Sequence, residues 1–190
     1  KGSDTLSGID RAFLSGGDGP NLIDASGFSG DVTLLGDAGD DTLLGGAGDD
    51  SLDGGPGDDS MVGGAGNDTI SGGEGDDVLI DTLGSNDMNG DAGGDVLMAG
   101  FGASTLTGGD GDDILLGGTA GDLLQGGAGD DVIVIANFSN TTFPSYRIGV
   151  PRSGLWRLRF NGDAAVYDPA FGNHPSTDEV AQAFRPLGAH

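Results

Sequence analysis

Apolar residues recur along this chain with a period that is neither that of a helix nor that of a simple alternating strand. From Gly27 to Val134 every ninth residue is aliphatic: Leu34, Leu43, Leu52, Met61, Ile70, Leu79, Met88, Leu97, Leu106, Leu115, Leu124 and Ile133. Between them lie polar, glycine-rich stretches, clearest in Gly36–Val62, which reads GDAGDDTLL, GGAGDDSLD and GGPGDDSMV. Alternate residues of an extended segment face opposite sides, so a three-residue strand centred on the aliphatic place turns that side chain inward. Paired glycines, free to adopt positive φ, reverse the chain in the remaining residues. Two units then close one coil, and successive coils stack their strands in parallel about 4.8 Å apart. The pattern predicts an all-β chain: a right-handed parallel β-roll, a solenoid of GGxGxDxUx nonapeptides in which each unit contacts only its neighbours.

The frame is imperfect at both ends. Residues 1–26 read as degenerate N-terminal repeats: half a unit at Gly2–Ser7, a poorly fitting Arg11–Ser15, and a recognisable unit at Gly16–Asp24 followed by the extra Ala25 and Ser26. Residues 27–134 are the roll proper, and 135–190 differ in composition. In that last segment Trp156–Phe160 alternates apolar with basic residues, Tyr146–Val150 is a second strand, and Pro151–Gly154 is a turn between them. The expected structure there is a small antiparallel β segment that caps the roll.

Composition changes what such a roll needs. The chain carries 41 Gly, no Cys and a formal charge of −24, with no Lys or Arg between Arg11 and Arg147. Low hydrophobicity with high charge ordinarily predicts disorder, but here glycine and aspartate fall in register. The charge excludes nucleic acid and anionic membranes as natural partners and points to cations. No apolar run is long enough to span a bilayer. The opening at Lys1, with no signal peptide, reads as that of a piece of a longer protein.

The sixth place of each unit carries the candidate chemistry. Sorted by coil, one face reads Asp41, Asp59, Asp77, Asp95, Asp113, Asp131, and the other reads Val32, Asp50, Asp68, Asn86, Ser104, Asp122. A glycine-rich turn offers backbone carbonyls and the sixth-place Asp adds a carboxylate. That all-oxygen set suits calcium, whereas magnesium demands a stricter octahedron and holds its waters. The lack of clustered His or Cys argues against zinc or copper. The candidate ligands are Asp41, Asp50, Asp59, Asp68, Asp77, Asp95, Asp113, Asp122 and Asp131. Up to five sites are expected on the first face. On the second we expect one between Asp50 and Asp68 and a weaker one toward Asn86, because the turns at Asp81–Asn89 and Ala99–Thr107 lose their leading glycine pair. The neighbouring acids Asp40, Asp49, Asp58, Asp76, Asp112 and Asp130 are read as enriching the local field rather than ligating.

With these residues in place, the repeat resembles the RTX (hemolysin-type calcium-binding nonapeptide) family. The resemblance implies multiple calcium ions and a bacterial protein that is secreted or held at the cell surface. It also implies export in the unfolded state and folding in the calcium outside. The C-terminal segment resembles the start of the C-terminal β-domain of the α-amylase and branching-enzyme superfamily, through VIVIANFSN (Val132–Asn140), YRIGVPRSGLWRLRFNGD (Tyr146–Asp163) and YDPAFGNHPS (Tyr167–Ser176). That likeness implies a neighbour or ancestor acting on α-glucans, and supplies no active site. No G-x-S-x-G, H-E-x-x-H or P-loop is present. The two histidines are His174, in a Gly-Asn-His-Pro turn, and His190. Trp156 is a candidate for stacking on a sugar ring, against the commoner role of a core residue. The reading is a non-catalytic, monomeric calcium-binding module. The alternative is the non-catalytic portion of a secreted α-glucan-acting enzyme.

Overall fold

The computed structural model describes residues 10–135, 147–149 and 157–160. The strands are β1 (Arg11–Ser15), β2 (Leu22–Asp24), β3 (Asp31–Leu35), β4 (Thr42–Ala47), β5 (Ser51–Pro56), β6 (Ser60–Ala65), β7 (Thr69–Glu74) and β8 (Val78–Asp81). They continue as β9 (Asp87–Ala92), β10 (Val96–Ala99), β11 (Thr105–Asp110), β12 (Ile114–Gly117), β13 (Leu123–Ala128), β14 (Val132–Ile135), β15 (Arg147–Gly149) and β16 (Arg157–Phe160). Odd-numbered strands form one parallel sheet in sequence order and even-numbered strands form the other, so the chain crosses between sheets at every turn. This is the β-roll that the nine-residue period predicts. Among the described residues no helix is long and apolar enough to cross a membrane.

The register follows directly from the repeat. Leu34 pairs with Leu52, Ile70 with Met88, and Leu97 with Leu115. Every eighth-place aliphatic from Leu34 to Ile133 is at most 1% exposed. With Val32, Ala25 and Ala99 they form a single core cluster. The interior is thus one aliphatic side chain wide along each sheet. Within each parallel sheet the strands satisfy backbone groups coil to coil, and only the outermost coils offer free edges.

Glycine matters most where coils approach each other. Gly66 has φ of 142°, and a Cβ there would lie within 3.0 Å of the Gly48 carbonyl. The second place of the turn shows the exception. Asp37 (φ 73°) and Asp91 (φ 72°) adopt the left-handed conformation there without being glycine. Their carboxylates accept hydrogen bonds from Ser15 Oγ (2.5 Å) and Ser71 Oγ (2.6 Å) of the preceding coil, which offset the strain.

One expectation is corrected, and the N-terminal repeats gain detail. Arg11–Ser15 is a strand in register with Asp31–Leu35. The pairing of Leu22–Asp24 with Thr42–Leu44 is offset by 20 residues rather than 18, which accommodates Ala25 and Ser26. Those two residues form a local bend: Phe28 N–H donates to Ala25 O (2.8 Å), and Ser26 Oγ donates to Asp24 Oδ1 (2.6 Å). Ala25 N–H still reaches Leu44 O at 2.8 Å, so the insertion lengthens one coil without breaking the stack.

The correction concerns the C-terminal segment. Its two strands are not an antiparallel pair. Arg147–Gly149 adds in parallel to β13, with Ile148 opposite Leu124, and Arg157–Phe160 adds in parallel to β14, with Leu158 opposite Ile133. Alternation of apolar and basic residues sets which face a residue occupies, not the direction of its strand. Each strand continues its sheet in the direction of the strands already there. Trp156, His174, His190, the Pro151–Gly154 turn and the half unit at Gly2–Ser7 lie outside the described residues.

Candidate metal sites along the turn edges

The turns form two stacked edges. Turns from odd to even strands carry Asp41, Asp59, Asp77, Asp95, Asp113 and Asp131, and those from even to odd strands carry Asp50, Asp68, Asn86, Ser104 and Asp122. The two faces deduced from the repeat are these two edges. All of these side chains are at most 3% exposed.

Each sixth-place side chain does two things. One oxygen holds the preceding coil: Asp41 N–H donates to Asp59 Oδ1 (2.7 Å), Asp59 N–H to Asp77 Oδ1 (2.7 Å), and Asp77 N–H to Asp95 Oδ1 (2.8 Å). The series continues through Asp95 N–H to Asp113 Oδ1 (2.8 Å) and Asp113 N–H to Asp131 Oδ1 (3.1 Å). The second oxygen has no hydrogen-bond partner. That is so for Asp41, Asp59, Asp77, Asp95, Asp113 and Asp131 on the first edge and for Asp50 and Asp68 on the second, and equally for Asp81, which stands at a first place. A buried carboxylate oxygen with no partner is costly.

The second edge separates the two roles. Asp68 N–H donates to Asn86 Oδ1 (2.9 Å), Asn86 N–H to Ser104 Oγ (3.0 Å), and Ser104 N–H to Asp122 Oδ1 (3.0 Å). Asn86 and Ser104 therefore preserve the stitch between coils while removing the anion, which explains how the fold tolerates them. Asp122 differs again, because its Oδ2 accepts the Gly118 N–H at 2.8 Å. Its second oxygen is already occupied by the backbone.

The fifth-place acids have a role that the sequence does not reveal. Asp40 Oδ1 accepts from Asp58 N–H (3.1 Å), Asp58 Oδ1 from Asp76 N–H (2.9 Å), and Asp112 Oδ1 from Asp130 N–H (2.8 Å). These exposed bonds run in the opposite sense to the buried ones: the acid accepts from the following coil instead of the preceding one. Each well-formed turn is clasped on both sides.

The residues fit calcium on three counts. The partnerless oxygens are buried anions arranged in files. Most of them sit beside a backbone carbonyl: a Cβ added to Gly36 would lie within 3.0 Å of both Asp41 Oδ2 and the Gly54 carbonyl, and one at Gly72 within 3.0 Å of Asp77 Oδ2 and the Gly90 carbonyl. Gly45, Gly54, Gly90 and Gly108 repeat the arrangement, so the first-place glycine leaves open a cradle between a carboxylate and a carbonyl. Finally, the donors on offer, carboxylate and carbonyl, are all oxygen, which is the set calcium takes.

Burial dominates the electrostatics. It pushes the Asp77 and Asp113 carboxyls up to about 7 and Asp59 up to about 6, with neighbouring carboxylates adding to the rise and the accepted backbone hydrogen bonds opposing it. Asp50, Asp95, Asp122 and Asp131 are raised for the same leading reason. Without a cation these groups resist ionisation.

The two roles of the sixth-place carboxylate can be separated by mutation. Asp77→Asn keeps an acceptor for Asp59 N–H and removes the anion, whereas Asp77→Ala also strands that amide. In saturating calcium, both variants are expected to bind less metal. Only Asp77→Ala should incur the further loss of about 1–3 kcal/mol for a buried unpaired donor. Urea unfolding of the two variants in millimolar calcium checks this, and equal stability would contradict the stitch.

The nine sixth-place Asp candidates all lie on these edges, and so does Asp81, which the repeat pattern does not single out. It stands where the repeat calls for its first glycine, is 1% exposed, and its Oδ2 has no partner. Burial, then the adjacent Asp68, raises its pKa. An acid in a glycine place was the available signal, and it reads as damage unless its neighbour across the coils is known.

Comparison with known proteins matches the two parts of the chain to two families. The RTX calcium-binding nonapeptide repeat matches in four copies, at residues 15–52, 26–61, 53–88 and 89–124. The all-beta C-terminal domain of alpha amylase matches residues 124–185, overlapping β13 and β14. A short C-terminal stretch is 51% identical over 35 residues to the 1,4-alpha-glucan branching enzyme GlgB of Aromatoleum aromaticum, covering 18% of this chain and 6% of that enzyme. It is 45% identical over 38 residues to a 1,4-alpha-glucan branching enzyme of Xanthomonas campestris pv. campestris, covering 20% of this chain and 5% of that enzyme. The matches find a repeat module and a C-terminal β-domain, and the chain spans only a small part of the enzymes it resembles.

Proposed function

This chain belongs to the RTX calcium-binding nonapeptide-repeat family, and from that premise we propose that it is a calcium-responsive module of a secreted or surface-held bacterial protein, non-catalytic in itself, that orders when calcium binds. The observation that carries this reading is the set of buried Asp Oδ2 atoms without partners, most of them facing a carbonyl of the adjacent coil. Calcium supplies the missing positive charge there. The chain's own residues supply position: first-place glycines keep the cradle open, and the Oδ1 stitches hold each carboxylate in one orientation. The ligand set on the first edge is Asp41, Asp59, Asp77, Asp95, Asp113 and Asp131, with Asp50 and Asp68 on the second. Asp122 is left out, since its second oxygen is bonded to Gly118.

Calorimetric titration with calcium tests the proposal. Several equivalents should bind per chain, most of them assigned by Asp→Asn variants to the first edge, and magnesium at equal ionic strength should not replace them. Binding of no calcium would reject the reading.

The C-terminal matches favour a second reading, in which the module belongs to an α-glucan-acting enzyme and residues 135–190 contact the polymer. Retention on an amylose column, lost in Trp156→Ala, is the expected result. Elution with the void volume would remove that role.

A further inference from the structure

At most rungs the cradle beside the first-place glycine is bounded by one carboxylate and one backbone carbonyl. The atoms nearest to a Cβ at Gly45 are the Gly63 carbonyl and Asp50 Oδ2, and at Gly54 they are Asp59 Oδ2 and the Gly72 carbonyl. Gly63 is different. Its nearest atoms are two carboxylate oxygens, Asp81 Oδ2 and Asp68 Oδ2, both within 3.0 Å of the added Cβ. Asp81 lies 18 residues beyond Gly63, at the end of β8, the strand stacked on β6, and its side chain stands where a carbonyl of the stacked coil stands at Gly45, Gly54 and Gly72.

Both residues are 1% exposed, and neither Oδ2 has a hydrogen-bond partner. Their other oxygens are engaged: Asp68 Oδ1 accepts from Asp50 N–H (2.7 Å), and Asp81 Oδ1 accepts from Leu83 N–H (3.4 Å). The free oxygens are therefore directed into one buried space from two adjacent coils. No Lys or Arg occurs between Arg11 and Arg147, so this stretch of chain has no cation of its own to place between them.

We propose that Asp81 is a calcium ligand outside the repeat pattern, and that Asp68 and Asp81 together form a two-carboxylate site, the tightest on the second edge. The inference rests on the calcium reading above and extends it. A hard divalent cation between two carboxylates has its charge matched within the site, and the number of anionic ligands is a principal control on calcium affinity. The placement also explains the local sequence. The unit Asp81–Asn89 gives up its sixth-place anion at Asn86 and gains one at its first place, so this edge keeps its charge count while shifting the charge one coil back. Beyond Asn86, where Ser104 has replaced the acid and Asp122 is bonded to Gly118, no such compensation occurs among the described residues.

The test is calcium titration of the full chain, followed by calorimetry, comparing the unaltered protein with Asp81→Asn and Asp58→Asn. Asp58 is an exposed fifth-place acid whose Oδ1 accepts a hydrogen bond that asparagine preserves, so it controls for the loss of one charge. Asp81→Asn should lose one tight equivalent, or weaken it about tenfold or more, while Asp58→Asn matches the unaltered chain. Circular dichroism in saturating calcium confirms that each variant is folded. Should Asp81→Asn not fold, Asp81→Gly, which restores the usual first-place residue, takes its place under the same criterion. Unchanged stoichiometry and affinity in the Asp81 variant would overturn the assignment while leaving the calcium reading intact. Absence of calcium binding by the unaltered chain would overturn both.

Discussion

Dialysed against a chelator at pH 8, the chain is expected to lose most of its far-UV strand signal and to regain it cooperatively on titration to millimolar calcium. The coils are held by narrow files of aliphatic side chains from Leu34 to Ile133 and by backbone bonds between coils. Opposing them are stacked carboxylates on both edges. Neighbouring rungs spaced as parallel strands repel by about 1 kcal/mol per pair in water, and by more where water is excluded. The first edge alone stacks six partnerless Oδ2 atoms. Cation binding converts each repulsion into a shared attraction, and binding to the folded state alone draws the equilibrium toward it. Magnesium should restore much less of the signal, because it sheds its waters reluctantly and tolerates irregular geometry poorly. A spectrum unchanged between chelator and calcium would defeat the prediction.

The second large effect is one of pH, and its sign is opposite to that usual for carboxylates. In most folded proteins aspartates are stabilised as anions and acid destabilises them. Here burial raises Asp77 and Asp113 to about 7 and Asp59 to about 6, above their ordinary 3.8. Between about pH 4 and 7 the metal-free folded chain therefore binds more protons than the unfolded chain, so its stability falls as pH rises. The contribution is fully present below the unfolded pKa and is lost as pH passes through the folded values. Metal-free chain at pH 5 should accordingly show more strand signal and a higher urea midpoint than at pH 8. In calcium the dependence should reverse, since protons and metal compete for the same oxygens. Metal-free stability that is flat or rising from pH 5 to pH 8 would show that these carboxylates are not buried as described.

The contrast between Asn86 and Asp81 shows how the two levels of description interact. Taken along the chain, Asp81–Asn89 is simply a unit that departs from the repeat. Stacked on its neighbour, it keeps a stitch through Asn86 Oδ1, and through Asp81 it directs a second anion at Asp68. Loss at one position and gain at another look alike in a pattern search, because both are departures from consensus. They differ only in which oxygen faces which coil.

The C-terminal strands make the same point about direction. Both stretches read as strands in the sequence, Trp156–Phe160 through its alternation, and their parallel addition to β13 and β14 does not follow from that. Antiparallel pairing of the two with each other was equally compatible with period two. Only the pairing with the preceding coil distinguishes them.

The sequence alone determined the coil. A strict nine-residue period with an aliphatic eighth place and a polar sixth place maps onto a regular stack, because each coil repeats the geometry of the last. The core file from Leu34 to Ile133, the two edges and the unbroken run from Asp41 to Asp131 were all legible for that reason. Only the tertiary structure decided what each individual oxygen does. Asp59 Oδ1 stitches while Asp59 Oδ2 has no hydrogen-bond partner; Asp122 Oδ2 accepts from Gly118; and Asp58 clasps the following coil rather than standing in the solvent field. A periodic sequence specifies the place of a residue, and hydrogen bonding to the coils on either side specifies its chemistry.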